Sequence, residues 1–315
     1  MDIRQAGDTD EEGIRSLFRA AFHYDLSHEE WEWKYRRSYL GSSSFVAEDE
    51  GVIVAHYGGF RMRFWNQGRT HDVYQGCDVM THPAYRARIF ARKGIIVRTA
   101  EAFYEANPME FIFGFPSERH ARLMTLQLKW EPHLFITVLK KEIAKAAGRS
   151  SLLLRADRGW ERMGPDELDR VWRQTREGRD VTIDKASPYL HWRYRDNPRG
   201  GYEMIGFRGV IGRLKAFAVI RVLGEELSVL DLCVPRSADL VRVLLSLEKM
   251  ALERGVRSIS LWMNPADRDF SGIQASGYAE EKGIPYTLRV FEGSGIAAPL
   301  FLERYHYSKG DYDAA

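Results

Sequence analysis

Apolar residues on one helical face follow a short strand-like opening of the chain. The stretch DIRQAG indicates a strand ending in a turn, and Ile14, Leu17, Phe18 and Phe22 then recur at helical spacing. Acidic residues precede this run, as is typical of a helix N-terminus. We therefore predict an amphipathic helix here, and a second short helix in the aromatic and charged stretch HEEWEWKYRR.

The pattern then changes to the alternation of β-strands. Turn signals at residues 49–51 (Asp-Glu-Gly) and 66–68 (Asn-Gln-Gly) separate three such stretches. This spacing predicts a three-stranded antiparallel meander. The stretches are SFVAEDEG, VIVAHYGGFRMRFWNQGR and THDVYQGCDVMTH.

A parallel crossover is expected after the meander. A helical pattern runs to about Asn107, and the short apolar stretch FIFGF then indicates a buried strand. A helix between two strands makes them a parallel pair within an otherwise antiparallel sheet. A further helix, SERHARLMTLQLKW, and a further strand, PHLFITVLKKE, complete this part of the chain.

Part of this pattern recurs later in the chain. WKYR begins at Trp33 and WRYR at Trp192, and each leads into a glycine-containing loop and a pair of strands. The pattern weakens around Gly148, where we place a boundary. The expected fold class is α+β, with two domains, residues 1–145 and 146–315, each a mixed, mostly antiparallel sheet flanked by helices.

Composition excludes several classes of protein. The chain is 44% hydrophobic and 29% charged with a net charge of +2, which favours a packed globular protein over a general nucleic-acid binder. Cys77 and Cys233 lie far apart without metal-ligand spacing, so we expect neither a metal nor a disulfide. Without a secretory signal or an apolar run of membrane length, a soluble cytoplasmic protein is expected.

The stretch HPAYRARIFARKGII contains five basic side chains between a predicted strand and a predicted helix. Three interpretations are open: a phosphate-binding turn, a nucleic-acid patch, or a solvated start of a helix. Backbone N–H groups at a helix N-terminus suit a pyrophosphate. Basic side chains there oppose the helix dipole, so helix stability does not explain them.

The stretches around this turn resemble the acetyl-CoA-binding core of the GNAT (N-acetyltransferase) superfamily. The similarity rests on DVMTHPAYR, on FIFGFPSERHARLMTLQLKW, and on Leu128-Lys129-Trp130, which resembles the "-LGW" close of many members. WEWKY followed by AEDEGVIVAHYGG resembles bacterial members with two GNAT-like halves. The resemblance covers most of residues 1–140 and, more weakly, the second half. It implies acetyl-CoA as co-substrate.

The sequence departs from the family pattern R/Q-x-x-G-x-G/A at the turn itself. Counted from Arg86, the first glycine falls on Ile89, and only Ala91 fits. We favour a second alignment, in which the helix starts around Gly94 after an enlarged loop. The resemblance then implies a set of residues at the acetyl-CoA site, on the strand, the loop and the next helix: Val79, Met80, Thr81, Arg86, Arg88, Arg92, Lys93, Gly94, Ile95 and Ser117.

Catalytic groups are inferred from position along these elements. Asp78 is the leading candidate for a general base, and its alternative is a strand-end carboxylate bonded to backbone. The helix that carries a tyrosine acid in the family has none here, so Glu118 or His120 is the substitute, unless no acid is used. Ser117 is either a helix N-cap or a ligand of the CoA arm.

Two further candidates lie on the strand before Asp78. His56 and Tyr57 can border the acceptor site, although a histidine on a half-buried strand is more often structural. The second half has no counterpart of the basic turn, so we expect it to close the acceptor pocket without binding CoA. The acidic tail with Asp311 and Asp313 is expected to fray, or else to reach a cationic acceptor.

The predicted function is transfer of an acetyl group from acetyl-CoA to a primary amine of a small molecule. One alternative is a non-catalytic acyl-CoA-binding or regulatory protein, and another is an aminoacyl or peptidyl acyltransferase. The predicted partner is a small-molecule amine, without nucleic acid or membrane, and a homodimer stays open.

Overall fold

The computed structural model describes residues 1–86, 94–143 and 154–313. The first half of the chain, as far as residue 142, combines a three-stranded meander with helices before and after it. Its elements are β1 (Asp2–Gln5), α1 (Glu11–Phe22), α2 (His28–Tyr35), β2 (Ser42–Asp49), β3 (Val52–Asn66), β4 (Arg69–Thr81), α3 (Pro83–Arg86), α4 (Ile95–Ala106), β5 (Phe111–Gly114), α5 (Glu118–Leu128) and β6 (Leu134–Glu142).

The second half repeats an antiparallel meander followed by a helix. Its elements are β7 (Arg155–Arg158), α6 (Pro165–Arg176), β8 (Val181–Ile183), α7 (Ser187–Leu190), β9 (Glu203–Arg208), β10 (Leu214–Leu223), β11 (Glu226–Cys233), α8 (Ser237–Glu253), β12 (Ser258–Trp262), α9 (Phe270–Ala275), β13 (Ala279–Val290) and α10 (Ala298–Arg304). A π-helical turn, His191–Arg195, follows α7, and a 3-10 turn, Lys309–Asp311, follows α10.

One continuous path of strands runs through the described residues. Its order is β1-β2-β3-β4-β5-β13-β6-β12-β11-β10-β9-β7, and β8 pairs with β3 off this path. Along the path, the pairs β4–β5 and β11–β12 are parallel and the other pairs are antiparallel. The expected mixed, mostly antiparallel sheet flanked by helices is confirmed, as is the parallel crossover after the meander.

The two halves of the chain share strands at the centre of this path. β13, from the second half, pairs with β5 through Val290↔Phe111 and with β6 through Ala279↔Lys140. β6, from the first half, pairs in turn with β12 through Ser258↔Glu142. The boundary between residues 145 and 146 stays a prediction, since strands from both sides of it alternate here.

The two WxYR motifs meet in the core. The rings of Trp33 and Trp192 stack with centroids 5.2 Å apart, and each indole N–H donates to the other residue's backbone carbonyl, at 2.7 and 3.2 Å. Tyr35 donates to Asp78 on β4, and Tyr194 donates to Asp231 on β11. The two motifs thus make a mirrored set of contacts, and the repeat itself stays a prediction.

Candidate active site

A cleft opens between the parallel strands β4 and β5. They pair only at Tyr74↔Ile112 and Gln75↔Phe113, whereas β4 continues to Thr81. Beyond this point the two strands separate. The backbone of β4 therefore has no partner strand on its β5 side, and such groups can hydrogen-bond an extended ligand.

A β-bulge shapes β4 at the mouth of this cleft. His56 pairs with Met80 and Gly58 with Cys77, so that Asp78 and Val79 together lie opposite one residue of β3. The φ angle of Asp78 is 46°, in the left-handed region that few non-glycine residues adopt. The bulge thus re-aims the strand beside the cleft, a feature that often accompanies active sites.

A cavity of about 340 Å³ fills the cleft. This volume lies at the lower end of the range typical of small-molecule sites. Its walls come from α1 and the loop after it, β3, β4, the β5–α5 segment and the segment after α10. The lining residues are Phe18, Phe22, Tyr24, Tyr57, Gly76, Cys77, Asp78, Val79, Gly114, Phe115, Pro116, Ser117, His120, Met124, Trp130, Tyr312 and Asp313.

Asp78, the residue predicted to act as the base, lines the cavity and is ion-paired. Lys34 Nζ lies 2.8 and 3.1 Å from its two carboxylate oxygens, and Tyr35 donates a hydrogen bond of 2.7 Å. Burial would raise the pKa of Asp78, but the charge of Lys34 and these hydrogen bonds outweigh it and hold the pKa below the usual value. An ionised, paired carboxylate is a weak proton acceptor.

The structure places His56 in the protein interior beside Asp78. Its Nδ1 donates to the backbone carbonyl of Asp78 at 2.7 Å, and its ring is fully buried. Burial lowers the pKa of His56, which favours a neutral ring. Tyr57 lines the cavity, and its hydroxyl hydrogen-bonds that of Tyr104 at 2.8 Å. Of this pair, Tyr57 alone borders the cavity.

Ser117 and His120 both reach the cavity from the start of α5. The Ser117 hydroxyl accepts the N–H of His120 at 3.4 Å, so it is an N-cap as well as a lining residue. Burial lowers the pKa of His120, so its imidazole is neutral near pH 7. Glu118, the other candidate acid, is exposed and is not among the cavity residues.

Apart from Ser117, the residues predicted to bind acetyl-CoA lie either on β4 or between β4 and the start of α4, and those on β4 come first. Val79 lines the cavity, whereas the side chain of Met80 is buried with the core residues around α1. The backbone carbonyl of Thr81 accepts a hydrogen bond of 3.0 Å from Arg86 Nε. Met80 therefore has only its backbone groups to offer a ligand, and the carbonyl of Thr81 is already bonded to Arg86.

The start of α4 lies where the second alignment predicts it. The helix begins at Ile95, and Gly94 is its N-cap. A separate short helix, α3, precedes it at Pro83–Arg86. The three remaining cationic candidates lie outside the described residues: Arg88, Arg92 and Lys93.

The segment after α10 supplies two cavity residues, of which the sequence analysis named only Asp313, as an alternative to a frayed tail. Tyr312 and Asp313 line the cavity, and Arg193 Nε donates to the backbone carbonyl of Gly310 at 2.8 Å. The expectation that this segment frays is wrong as far as Asp313. The buried Arg193 binds the backbone carbonyls of Gly310 and Tyr312. Its mixture of acidic and aromatic residues was the signal in the sequence.

Asp313 differs electrostatically from Asp78. Burial raises the pKa of the Asp313 carboxyl above its usual value, Lys34 opposes this rise, and Asp78 adds to it. Two carboxyls on one cavity thus have pKa values shifted in opposite directions. Such a separation is typical of sites where one carboxyl stays ionised and the other exchanges a proton.

Metal-binding clusters and membrane-spanning helices are both absent from the described residues. Among residues 1–86, 94–143 and 154–313, no three His, Cys, Asp or Glu side chains are arranged to hold a metal ion. None of the helices in the same ranges is both long and apolar enough to span a membrane.

A family model and several solved structures relate the sheet of this protein to the GNAT fold. A family model described as an acetyltransferase (GNAT) domain matches residues 2–122. Residues 2–122 are therefore similar to the GNAT acetyltransferase family, which uses acetyl-CoA as co-substrate. No curated protein matches the sequence.

Solved structures share the fold over nearly the whole chain. A probable N-acyltransferase from Enterococcus faecalis V583 superposes with a TM-score of 0.74 at 12% identity, covering 96% of this chain and 75% of the other. A GCN5-related N-acetyltransferase from Anabaena variabilis ATCC 29413 is also similar, with a TM-score of 0.70 at 10% identity over 92% of this chain and 72% of the other. One from Kribbella flavida has a TM-score of 0.67 at 14% identity over 94% of this chain and 73% of the other. At these identities the likeness establishes the fold.

Proposed function

We propose that the protein transfers an acetyl group from acetyl-CoA to a primary amine of a small molecule. The observation that carries this proposal is the cleft between β4 and β5, which leads into a cavity lined by Asp313. The free side of β4 beyond Gln75 can pair with the amide-bearing arm of the co-substrate as a further strand would. Gly94 and Ile95 begin α4 on the loop where the pyrophosphate is expected.

The acceptor side of the cavity suits a cationic amine. Asp313 lines the cavity together with the aromatic rings of Phe22, Tyr24 and Tyr312. A carboxylate attracts an ammonium group, and aromatic faces stabilise a nearby cation. We therefore expect acceptors that carry an amine next to apolar surface.

Asp313 is the proposed general base. Acyl transfer requires the neutral amine, and a carboxyl with a raised pKa accepts a proton from the ammonium more readily than one with the usual value. Lys34 keeps Asp78 ionised and paired, so Asp78 is the weaker candidate for the base.

The bulge of β4 gives a second catalytic feature. The N–H of Val79 is the proposed donor to the developing oxyanion, because the bulge takes this residue out of register with β3 beside the cavity. His120 is neutral and can donate a ring N–H hydrogen bond to the departing sulfur. This role does not require a tyrosine in α5.

Release of free thiol from acetyl-CoA, measured over a panel of primary amines, tests the proposal. We expect amine-dependent release, strongest with amines attached to apolar groups. Binding of acetyl-CoA without release on any amine supports the alternative of a non-catalytic acyl-CoA-binding protein. Failure to bind acetyl-CoA contradicts both.

Charge reversal tests the basic turn. The double substitution Arg92→Glu with Lys93→Glu is expected to weaken acetyl-CoA binding strongly, since both cations were assigned to the phosphates from sequence. Arg36→Glu is the control, because Arg36 pairs with the exposed Asp8 and is not among the cavity residues. Equal weakening by both changes would mean that the effect is one of net charge.

A further inference from the structure

The second half of the chain contains a counterpart of the active-site cleft. Its parallel strands β11 and β12 pair from Glu226↔Ser258 to Val229↔Leu261, and β11 continues unpaired on that side to Cys233. The space beyond holds a cavity of about 20 Å³, room for about one water molecule. Residues 306–308 form part of its wall, so the chain's own segment occupies the second cleft.

A buried cluster of charges fixes this segment. Lys185 Nζ lies 2.8 Å from the carboxylate of Asp311 and also contacts Asp231, and at most 1% of each of these three side chains is exposed. Ser308 donates from its hydroxyl to Asp231 at 2.6 Å, and Tyr305 donates to Asp311 at 2.8 Å. These bonds tie the segment to the loop between β8 and α7, to β11 and to itself.

The cluster has an uneven balance of charge. One ammonium serves two buried carboxylates, and such an arrangement costs free energy unless hydrogen bonds and geometry offset it. Burial would lower the pKa of Lys185, but Asp231 and Asp311 outweigh it and raise the pKa. General core stability does not call for such a cluster, because apolar side chains of similar size serve it as well.

Asp311, a member of the cluster, lies two residues before Asp313. Between them, Gln75 Nε2 donates to the backbone carbonyl of Asp311 at 2.8 Å, and Arg193 contacts the carbonyl of Tyr312. The ring of Tyr312 stacks on Trp262 with centroids 6.0 Å apart. The backbone from Asp311 to Asp313 is thus held by contacts from both halves of the chain, and the buried Asp311 carboxylate is the charged group of this segment nearest in sequence to Asp313.

We propose that Lys185 is a positioning residue for acyl transfer, which acts through Asp311 to hold the Asp313 carboxyl in the acceptor cavity. This inference rests on the proposed function of Asp313. The segment of residues 306–313 would then link the two clefts: residues 306–308 fill the cleft beside β11, and Asp313 lies in the cavity beside β4.

A double-mutant cycle separates this role from a merely structural one. Lys185→Met is expected to lower kcat at least about tenfold with the KM for acetyl-CoA within about twofold, because a misplaced base affects the reaction more than CoA binding. Combined with Asp313→Asn, it is expected to lower kcat no further than Asp313→Asn alone. Multiplicative effects of the two changes would overturn the proposal.

Two further variants keep the test interpretable. Asp311→Asn leaves one ammonium with one carboxylate and so removes the excess buried charge. The oxygen of the new amide can still accept the hydrogen bonds from the Tyr305 hydroxyl and the Ser308 N–H. It is expected to fold and to reproduce the loss of kcat. Lys141→Met is the matched control, because it breaks a partly buried pair with Glu248 remote from the cavity. A kcat unchanged in Asp311→Asn would contradict the proposal.

Amide hydrogen exchange measures how firmly the Lys185–Asp311 pair holds the segment, and it does not depend on enzymatic activity. The amides of residues 305–313 are expected to exchange at least about tenfold faster in Lys185→Met and Asp311→Asn than in the wild type, and unchanged in Lys141→Met. Unchanged exchange in the first two variants would overturn the anchor itself. If the wild type instead releases no thiol with any amine, the proposed function fails while exchange still decides whether the anchor exists.

Discussion

Two aspartates on one cavity have opposite electrostatic environments. Lys34 and Tyr35 keep Asp78 ionised, whereas burial and the charge of Asp78 favour the protonated form of Asp313. The same residue type can therefore serve as a fixed charge at one position and as a proton acceptor at the other. Two predictions follow from these surroundings.

Asp313→Asn is expected to lower kcat by about 100-fold or more, since it removes the proposed general base. The wild-type rate is expected to rise with pH through the raised pKa of Asp313, because the carboxyl accepts a proton only when it is ionised. This acidic limb should be missing in the variant. The measurement is the pH profile of kcat/KM, and an unchanged rate in the variant would exclude Asp313 as the base.

Lys34→Met is expected to lower the free energy of unfolding by about 3–5 kcal/mol, because it leaves the buried Asp78 carboxylate without its cation. Urea denaturation at pH 7 measures this loss. Arg37→Met is the control, since Arg37 and Glu32 form a more exposed pair, worth at most about 1 kcal/mol. Similar losses for both variants would mean that the Lys34–Asp78 pair has no special weight.

The strands and helices of the two halves meet at the stacked tryptophans. Trp33 ends up beside Trp192 because α2 and the π-helical turn approach each other from the two halves. In the sheet, β13 of the second half also lies between β5 and β6 of the first half. Elements linked in this way are expected to unfold together.

Trp192→Phe is expected to lower the free energy of unfolding by about 1–3 kcal/mol, since the buried carbonyl of Trp33 loses its donor. The loss should appear as a shift of one cooperative transition, followed by both fluorescence and circular dichroism. Trp160→Phe is a milder control, because Trp160 is only partly buried and its N–H bond is longer, 3.4 Å. Separate transitions for the two halves would contradict their coupling.

Elements with strong local patterns were predictable from sequence. The period of two in β3 and β4, the helical period of α1, and the start of α4 at Gly94 and Ile95 all follow from neighbouring residues. Pairing of β13 with β5 was not predictable, because these strands are distant in sequence and periodicity carries no information about partners.

The candidate site was predictable to the same extent. The cleft and the position of Asp78 in it follow from the order of elements, since a crossover strand must end beside β4. The partner of Asp78, Lys34, comes from a helix 44 residues earlier. Asp313 comes to the cavity from the far end of the chain, two residues after Asp311, which is buried against Lys185. No local pattern reveals this placement.

At the scale of the whole molecule, acidic groups anchor the segment after α10 to the second half. Burial would raise the pKa values of Glu226 and Asp267, but hydrogen bonds and charge hold both at about 2. The partners of Glu226 are Ser260, Lys309 and Ser228, and His306 is the main partner of Asp267. Lys309 and His306 belong to the segment that carries Asp313.

Stability is therefore expected to fall as the pH is lowered from about 5 to about 2.5. The folded-state pKa values of Glu226 and Asp267 lie below their unfolded values, so their contribution is present above the unfolded values and is lost as the pH approaches 2. The measurement is the urea midpoint at each pH. A midpoint that does not change over this range would show that these pairs contribute nothing.

Calorimetric titration with acetyl-CoA tests the central claim, that the β4–β5 cleft is the acyl-CoA site. Gly114 lines the cavity, and an added Cβ meets only ordinary contacts, at 3.6 Å from the carbonyl of Gly76 and 3.9 Å from Trp130. Gly114→Leu should thus extend a side chain into the cleft. Gly164→Leu is the control, because nothing lies within 4 Å of its added Cβ.

We predict that the wild type and Gly164→Leu bind acetyl-CoA with equal affinity, whereas Gly114→Leu binds at least about tenfold more weakly while its circular dichroism spectrum is unchanged. Equal binding by all three proteins, or no binding by the wild type, would contradict the assignment of the cleft.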